Sequence, residues 1–433
     1  MRLLVVSAGD FFSTYGGGQV YLKNLVDQLI DIGVDLVILS PGKTDCSTGS
    51  YRSSKVIYYD PDADSSGSTL RAVFDEVKPD VVHAHGMKSI IAELCHALGV
   101  PCIVTAHHGG ILCPAGALLN RRDAICRIKA SSRACLPCVL NNIRWGGNAL
   151  FLLDMISFER RLQIAHRLRR LPFVPYLTPV GTATLVIEEK ISEWNSICRY
   201  ATLLIAPSRA IAESMVLNGA PSDNIAIVPH GIAAPEVVRS KTNDASADSA
   251  LPLKFFFVGR ISHVKGVHIL LKSLSCISGE NPVELHVVGG AETKSEKRYL
   301  QELRKRYYYD DRIIWHGKKN HADMNKLIQL FDVLVHPAIC LEVYGLTIAE
   351  ALLMQKPVIA TRCGGPEDQI REGVNGLLVE PNDPGALADA MAALVRNRDL
   401  VSAMSARAAG DVVTMSVHLF ELMHLYQICR KKS

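Results

Sequence analysis

Two glutamates, Glu342 and Glu350, stand on either side of a glycine in the stretch Cys340–Thr361, CLEVYGLTIAEALLMQKPVIAT. Gly345 precedes the apolar positions Leu346, Ile348, Ala349, Leu352 and Leu353. That pattern predicts a helix starting near Gly345, with Glu342 in the loop ahead of it and Glu350 in its second turn. The free N–H groups and positive dipole end of such a helix attract an anion, and phosphate is the natural guest. Lys356-Pro357 breaks the helix, and Val358–Ala360 reads as a short buried strand. Two carboxylates beside a phosphate-binding helix start suit a ligand with many hydroxyls and a phosphate, such as a nucleotide sugar. An ordinary helix–strand unit with two surface glutamates has the same local pattern.

A second constellation lies upstream. The apolar run Phe255–Val258 ends in Gly259-Arg260, and Lys265-Gly266 follows five residues later, ahead of another apolar helix pattern. A backbone turn with one arginine and one lysine at the carboxyl end of a strand offers a diphosphate a bidentate fork and a point charge. With this segment the sequence resembles the retaining GT-B glycosyltransferases of family four, the large family that contains sucrose synthase and bacterial mannosyl- and glucosyltransferases. The resemblance covers nearly the whole chain. It rests on GGGQ (Gly16–Gln19), APSRAIAESM (Ala206–Met215), IVPHGI (Ile227–Ile232), VGRISHVKG (Val258–Gly266), LHVVGG (Leu285–Gly290), the Glu-x7-Glu segment and CGGPEDQIREGVNGLLVEPNDP (Cys363–Pro384), in that order.

The elements that must position these residues are α/β in kind. At 433 residues the chain exceeds a single core, and two domains are expected. A hydrophobic content of 48% excludes a disordered chain, and a net charge of +4 with no nucleic-acid signature gives no reason to expect DNA or RNA. In the first half, the apolar runs Leu3–Ser7, Leu36–Leu39, Val81–Ala84, Ile103–Ala106 and Leu203–Ala206 alternate with helical patterns such as Val20–Ile32. That alternation predicts a parallel sheet wrapped by helices. The polar stretch Ala234–Pro252 reads as a linker, a second strand–helix alternation follows from Leu253, and an amphipathic helix closes the chain from Val412. The expected organisation is an acceptor-side Rossmann-like domain at 1–235 with a Cys-rich insertion at about 109–150, a linker at 236–252, a nucleotide-sugar-binding domain at 253–410 and a last helix at 411–433. The resemblance implies that this last helix packs back on the first domain. MRLLVVSAGD is too short in its apolar run for a signal peptide, and no stretch approaches 18 consecutive apolar residues, so a cytoplasmic site of action, either free or at the inner face of a membrane, is expected.

Two segments of the first half stand apart. Cys113, Cys126, Cys135 and Cys138 lie within 26 residues, the last two in a Cys-x2-Cys step. Four thiolates among Arg121, Arg122, Arg127, Lys129 and Arg133 are a metal-ligand set, either for zinc or for a 4Fe–4S cluster. Four unlinked thiols, or a redox pair at Cys135 and Cys138, are the other readings. Phe151–Arg170 reads as a basic amphipathic helix that either meets an anionic membrane bearing a lipid-linked acceptor or packs its apolar stripe on its own domain.

The resemblance implies roles for residues at matching positions. Arg260 and Lys265 neutralise the diphosphate of a UDP-, GDP- or ADP-sugar. The N–H groups at Gly345, Leu346 and Thr347 hold its distal phosphate. Glu350 takes the ribose hydroxyls and Glu342 those of the donor sugar. The Gly16-Gly17-Gly18 turn lets the backbone approach phosphate or acceptor, and His107 lies near the donor sugar. His108 replaces the usual aspartate, Glu342-Val343-Tyr344 departs from the commoner Glu-Pro-Phe, and His230 stands where asparagine is usual. The implied reaction moves a sugar, with retention, from the nucleotide to a saccharide, a lipid-linked saccharide or a small-molecule acceptor. It needs no divalent metal, because cationic side chains and a helix dipole offset the leaving charge. A nucleotide-sugar epimerase and a non-catalytic nucleotide-sugar-binding protein of the same fold are the alternatives.

Overall fold

The computed structural model describes residues 1–13, 16–42, 47–64, 67–143, 149–151, 153, 155–171, 177–233, 251–278 and 282–431, without the side chains of 321 and 322. The chain divides into two compact units. One comprises Met1–Arg121, Arg127–Gly231 and Met415–Ser433, and the other Arg122–Cys126 and Ile232–Thr414. The linker expected at 236–252 lies outside the described residues apart from its last two positions.

The first unit holds an eight-stranded sheet. Its strands are β1 (Arg2–Val6), β2 (Asp35–Pro41), β3 (Thr48–Tyr51), β4 (Ser54–Tyr59), β5 (Val81–Ala84), β6 (Cys102–Thr105), β7 (Leu203–Ala206) and β8 (Ile225–Ile227). They lie in the order β3-β4-β2-β1-β5-β6-β7-β8. All pairings are parallel except β3 with β4. Leu3 to Val6 are wholly buried, as a central parallel strand covered on both faces requires. The edge strand β3 was not read from the sequence, because TGSY is polar and half-exposed and has no apolar run to announce it; its partner β4 has such a run, with Val56, Ile57 and Tyr59 buried, and was passed over.

The second unit repeats the plan with six strands. These are β9 (Leu253–Val258), β10 (Val283–Val288), β11 (Ile313–Gly317), β12 (Val333–His336), β13 (Val358–Thr361) and β14 (Gly376–Val379), all parallel, in the order β11-β10-β9-β12-β13-β14. Phe256, Val288, Leu334, Ile348, Leu352 and Val358 share one core cluster, which packs the helix Leu346–Leu353 onto the sheet.

In each sheet the order reverses beside the first strand, between β1 and β5 and between β9 and β12. Loops leaving neighbouring strands in opposite directions open a crevice at that point, where α/β sheets bind ligands. Two glycines let the flanking loops meet there. A Cβ on Gly86, after β5, would fall 2.2 Å from the Ser7 carbonyl oxygen after β1. A Cβ on Gly266, after β9, would fall 1.8 Å from the Pro337 oxygen after β12, and its φ of +71° also favours glycine.

The last helix, Met415–Lys431, belongs to the first unit and is tied to it by buried polar contacts. Tyr426 Oη lies 2.7 Å from His83 Nδ1, whose Nε2 lies 2.7 Å from Thr105 Oγ1, and Tyr21 Oη lies 2.6 Å from His418 Nε2. Burial, reinforced by His418 and Lys88, pushes the His83 ring down to about 3, and burial pulls His418 down to about 4. The folded state therefore holds both rings neutral.

Two outcomes follow from this packing. Tyr426→Phe should lower stability by about 1–3 kcal/mol in chemical denaturation, since it strands a buried imidazole nitrogen. Below the ordinary histidine value of about 6.5, the unfolded chain takes up protons that the folded chain refuses. Stability is thus complete above that pH and is lost as pH falls toward 4. Melting curves should be level from pH 8 to 7 and drop between 6.5 and 5; a melting temperature unchanged down to pH 5 would contradict the assignment.

Candidate active site

The cationic pair expected from the sequence sits at the β9/β12 crevice of the second unit. Lys265 closes the 3-10 turn His263–Lys265 that follows β9. The Ile339 N–H donates to the Val264 carbonyl at 3.0 Å, which ties this turn to the loop after β12. That loop carries Glu342, and Lys265 Nζ donates to Glu342 Oε1. The pair is largely shielded, with 26% of the lysine side chain and 12% of the glutamate exposed. Burial alone would raise the Glu342 value, but the charges of Lys265, His336 and Arg260 outweigh it and hold the carboxyl below its usual range. Burial likewise opposes a charge on Lys265, and Glu342 overturns that effect, so the ammonium is held more firmly than usual. Both groups stay ionised because each has the other.

Backbone contacts fix Glu342. Its N–H donates to the Cys363 carbonyl at 2.7 Å, and its carbonyl accepts from Gly365 N–H at 2.9 Å. Gln369 Nε2 donates to the carbonyl of Tyr344, next to the Gly345 turn. Gly345 itself, at φ +91°, caps the helix Leu346–Leu353, with Leu346 and Thr347 in its first turn and Glu350 half-buried in its second. Arg260 is open to solvent over 53% of its side chain and lies 3.3 Å from Glu296 Oε1. Glu296 also receives the N–H groups of Glu292 and Thr293, completing the capping box of the helix Lys294–Arg306. Arg260, Lys265 and Glu342 are thus gathered around one crevice, beside the start of the Gly345 helix.

Sequence reading missed three members of this environment. His336, the last residue of β12, lies 3.8 Å from Glu342, and burial with Lys265 lowers it to about 4. Glu296 had no motif to mark it except the Thr293-x-x-Glu296 capping pattern. Gln369 stood in a quoted motif without a role.

In the first unit, the helix Gly17–Asp31 starts directly after Gly16, whose φ is +87°. Gly17 and Gly18 form its first turn, and a Cβ on Gly18 would lie 3.6 Å from the His107 Cβ. His107, after β6, is half-buried, and its Nε2 is 2.6 Å from Nδ1 of His85, after β5. The structure thus brings the glycine turn and His107 together.

The four-cysteine metal centre needs correction. Among the described residues, no group of three or more His, Cys, Asp or Glu side chains could hold a metal ion. Cys135 and Cys138 lie on the helix Ser132–Asn141, which Ser131 caps. That helix has a core of its own: Leu136, Val139 and Leu140 pack on Ala183 and Ile187, and Cys135 packs against the same cluster. Cys113 is buried with its N–H bonded to the Gly109 carbonyl, while Cys126 belongs to the second unit. Apolar packing on the long helix Leu177–Tyr200 holds this segment in place. The residues present do not fit zinc or an iron–sulfur cluster.

The basic segment forms the helix Phe158–Arg169, which packs through buried Ala165 and through Leu168 against Gly181. Among the described residues no helix is long and apolar enough to cross a membrane.

Known proteins resemble this chain in sequence and in fold. Residues 241–411 match the family model Glycosyl transferases group 1, and residues 15–134 match Glycosyltransferase Family 4. A D-inositol 3-phosphate glycosyltransferase of Xylanimonas cellulosilytica is 33% identical over 220 residues, covering 48% of this chain and 52% of that protein. A sucrose synthase of Acidithiobacillus caldus is 34% identical over 143 residues, covering 31% of this chain and 17% of that one. The chain thus spans about half the length, or less, of these curated relatives. Among solved structures, sucrose-phosphate synthase from Thermosynechococcus elongatus aligns with a TM-score of 0.69 at 16% identity over 100% of both chains. Anabaena HepE in complex with UDP aligns with a TM-score of 0.67 at 17% identity over 99% of this chain and 100% of that one. One family model thus matches most of the second half and another much of the first, and the fold is GT-B throughout, so the chain is similar to the glycosyltransferases of group 1 and family 4.

Proposed function

We propose that this protein is a retaining glycosyltransferase that moves a sugar from a nucleotide sugar to a saccharide, lipid-linked saccharide or small-molecule acceptor. The observation that carries this reading is the shielded Lys265–Glu342 pair beside Arg260 at the β9/β12 crevice. A cation kept charged in a poorly hydrated place binds a diphosphate strongly and neutralises it as it leaves. Arg260 supplies a fork to the same diphosphate, and the N–H groups of Gly345, Leu346 and Thr347 supply donors to its distal phosphate. Glu342 accepts from hydroxyls of the donor sugar, and Glu350 from the ribose. In the first unit, the Gly16-Gly17-Gly18 turn serves the acceptor side, and His107 steadies a ligand oxygen.

The sugar passes through an oxocarbenium-like state as the sugar–phosphate bond breaks. The leaving phosphate oxygen takes the acceptor's proton on the same face, so configuration is kept and no protein nucleophile is assigned. UDP-sugars are the first donors to test, since HepE of this fold has been seen with UDP and with UDP-glucose. Outward-facing Arg160, Ile164 and Arg167 of the basic helix suit an anionic membrane surface that carries a lipid-linked acceptor. An epimerase would instead consume the donor without any acceptor.

Three variants separate binding from packing. Arg260→Ala should cut turnover by about tenfold or more with little change in stability, because the side chain is half exposed. Lys265→Ala should cut turnover at least as much and also cost about 2–4 kcal/mol in urea unfolding, because it strands Glu342; the lysine's partial exposure keeps this below the fully buried range. Lys265→Ala with Glu342→Gln should regain most of that stability and none of the activity. Recovery of turnover in the double variant would refute the diphosphate role. The product of an α-linked nucleotide sugar should be an α-glycoside by NMR, and a β product would refute retention.

A further inference from the structure

His83, His85, His107 and His230 stand ring against ring in the first unit, beside Tyr21 and the last helix. His85 is 4.0 Å from His83 and 4.9 Å from His107 between ring centroids, and His107 is 5.2 Å from His230 and 5.3 Å from Tyr21. His85 is the most tightly fixed of the pair it forms with His107. It is 1% exposed, its backbone N–H donates to the Val6 carbonyl at 2.9 Å, and Gly86 after it is pressed against Ser7. Its Nδ1 makes the 2.6 Å contact with His107 Nε2. The other nitrogen of each ring, His85 Nε2 and His107 Nδ1, is buried without a hydrogen-bond partner among the described residues.

We propose that His85 is a positioning residue that holds His107 in the tautomer with its proton on Nδ1, so that this N–H is presented to an oxygen of the bound ligand. The proposal rests on the reading of His107 as a site residue and adds what sets its hydrogen-bonding sense. Burial drives both rings well below the ordinary histidine value, and nearby His83, His230 and Lys88 push the same way, so both are neutral at pH 7. Two neutral imidazoles sharing one contact comprise one donor and one acceptor. Either arrangement leaves one N–H unmatched. If His107 Nε2 donates, the unmatched N–H is Nε2 of His85, sealed at 1% exposure where no ligand can arrive. If His85 Nδ1 donates, the unmatched N–H is Nδ1 of half-buried His107. That nitrogen is buried too, but against Gly18, where a side chain would begin 4.0 Å away and none stands. A buried donor without a partner costs free energy, so the arrangement that a ligand oxygen can complete is the one assigned.

Long-range 1H–15N correlation spectra of protein labelled at the histidine rings read the tautomer directly, with His107 identified by its loss in His107→Gln. The wild type should show His107 protonated on Nδ1 and bare on Nε2. His85→Phe should move that proton to Nε2, whereas His85→Asn, whose amide can donate from the place of Nδ1, should keep it on Nδ1. Turnover should fall about tenfold in His85→Phe with the donor KM little changed, and His85→Asn should restore most of it. A wild-type His107 protonated on Nε2, or a His85→Phe spectrum like the wild type, would overturn the proposal; so would equal loss of turnover in both variants with the tautomer unmoved. If His85→Phe does not fold, the wild-type and His85→Asn spectra decide. The spectra need no glycosyl transfer, so a protein with no transferase activity would fail the functional reading without deciding the tautomer.

Discussion

A lysine and a glutamate that a shielded crevice would not tolerate singly are kept ionised by each other at the point where the second sheet reverses its strand order. Removing a carboxylate from water costs several kcal/mol, and only a partner in good geometry offsets it. The surrounding backbone supplies that geometry. Gly266 admits the Pro337 carbonyl, Ile339 bonds to Val264, and the Cys363–Gly365 segment clamps Glu342 from both sides. Without those approaches the loops after β9 and β12 would separate and the charges would find water instead. The helix from Leu346 depends on the same loop for its start, because Gly345 follows Glu342 by three residues.

The first unit uses the same topological place for opposite chemistry. Its crevice between β1 and β5 is likewise closed by a glycine against a carbonyl, yet the nearby groups are histidines that burial keeps neutral. Ions suit a site that must meet a diphosphate. Neutral imidazoles and tyrosines suit one that must align hydrogen bonds without adding charge. The tie between Tyr426 and His83 brings the last helix into this network, so the end of the chain supports the residues behind His107.

Much of this was legible in the residues themselves. Apolar runs such as Val81–Ala84 and Val358–Ala360 marked strands, and Gly345 with its downstream pattern marked a helix that begins at Leu346. Arg260, Lys265 and Glu342 were marked by the motifs that hold them, VGRISHVKG and the Glu-x7-Glu segment, since a charge before a helix has ordinary structural uses as well. The rest depended on contacts far apart in sequence. Glu296 supports Arg260 across 36 residues and His336 meets Glu342 only after folding, so neither has a local signature. The edge strand β3 was hidden because it buries little. The cysteine cluster misled for the converse reason: proximity in sequence resembled a ligand set, whereas the helix Ser132–Asn141 turns its residues into an apolar seam.

On the reading proposed above, the Lys265–Glu342 crevice with Arg260 recognises a diphosphate. Calorimetric titration can test it with UDP, GDP and ADP and with the corresponding nucleosides, on wild type and on an Arg260→Ala/Lys265→Ala double variant checked for folding. The tightest nucleoside diphosphate should lose about a hundredfold or more in affinity in the variant, an effect of two charge-assisted contacts, while its nucleoside binds both proteins alike. Equal affinity of the diphosphate for both proteins would show that Arg260 and Lys265 do not hold it.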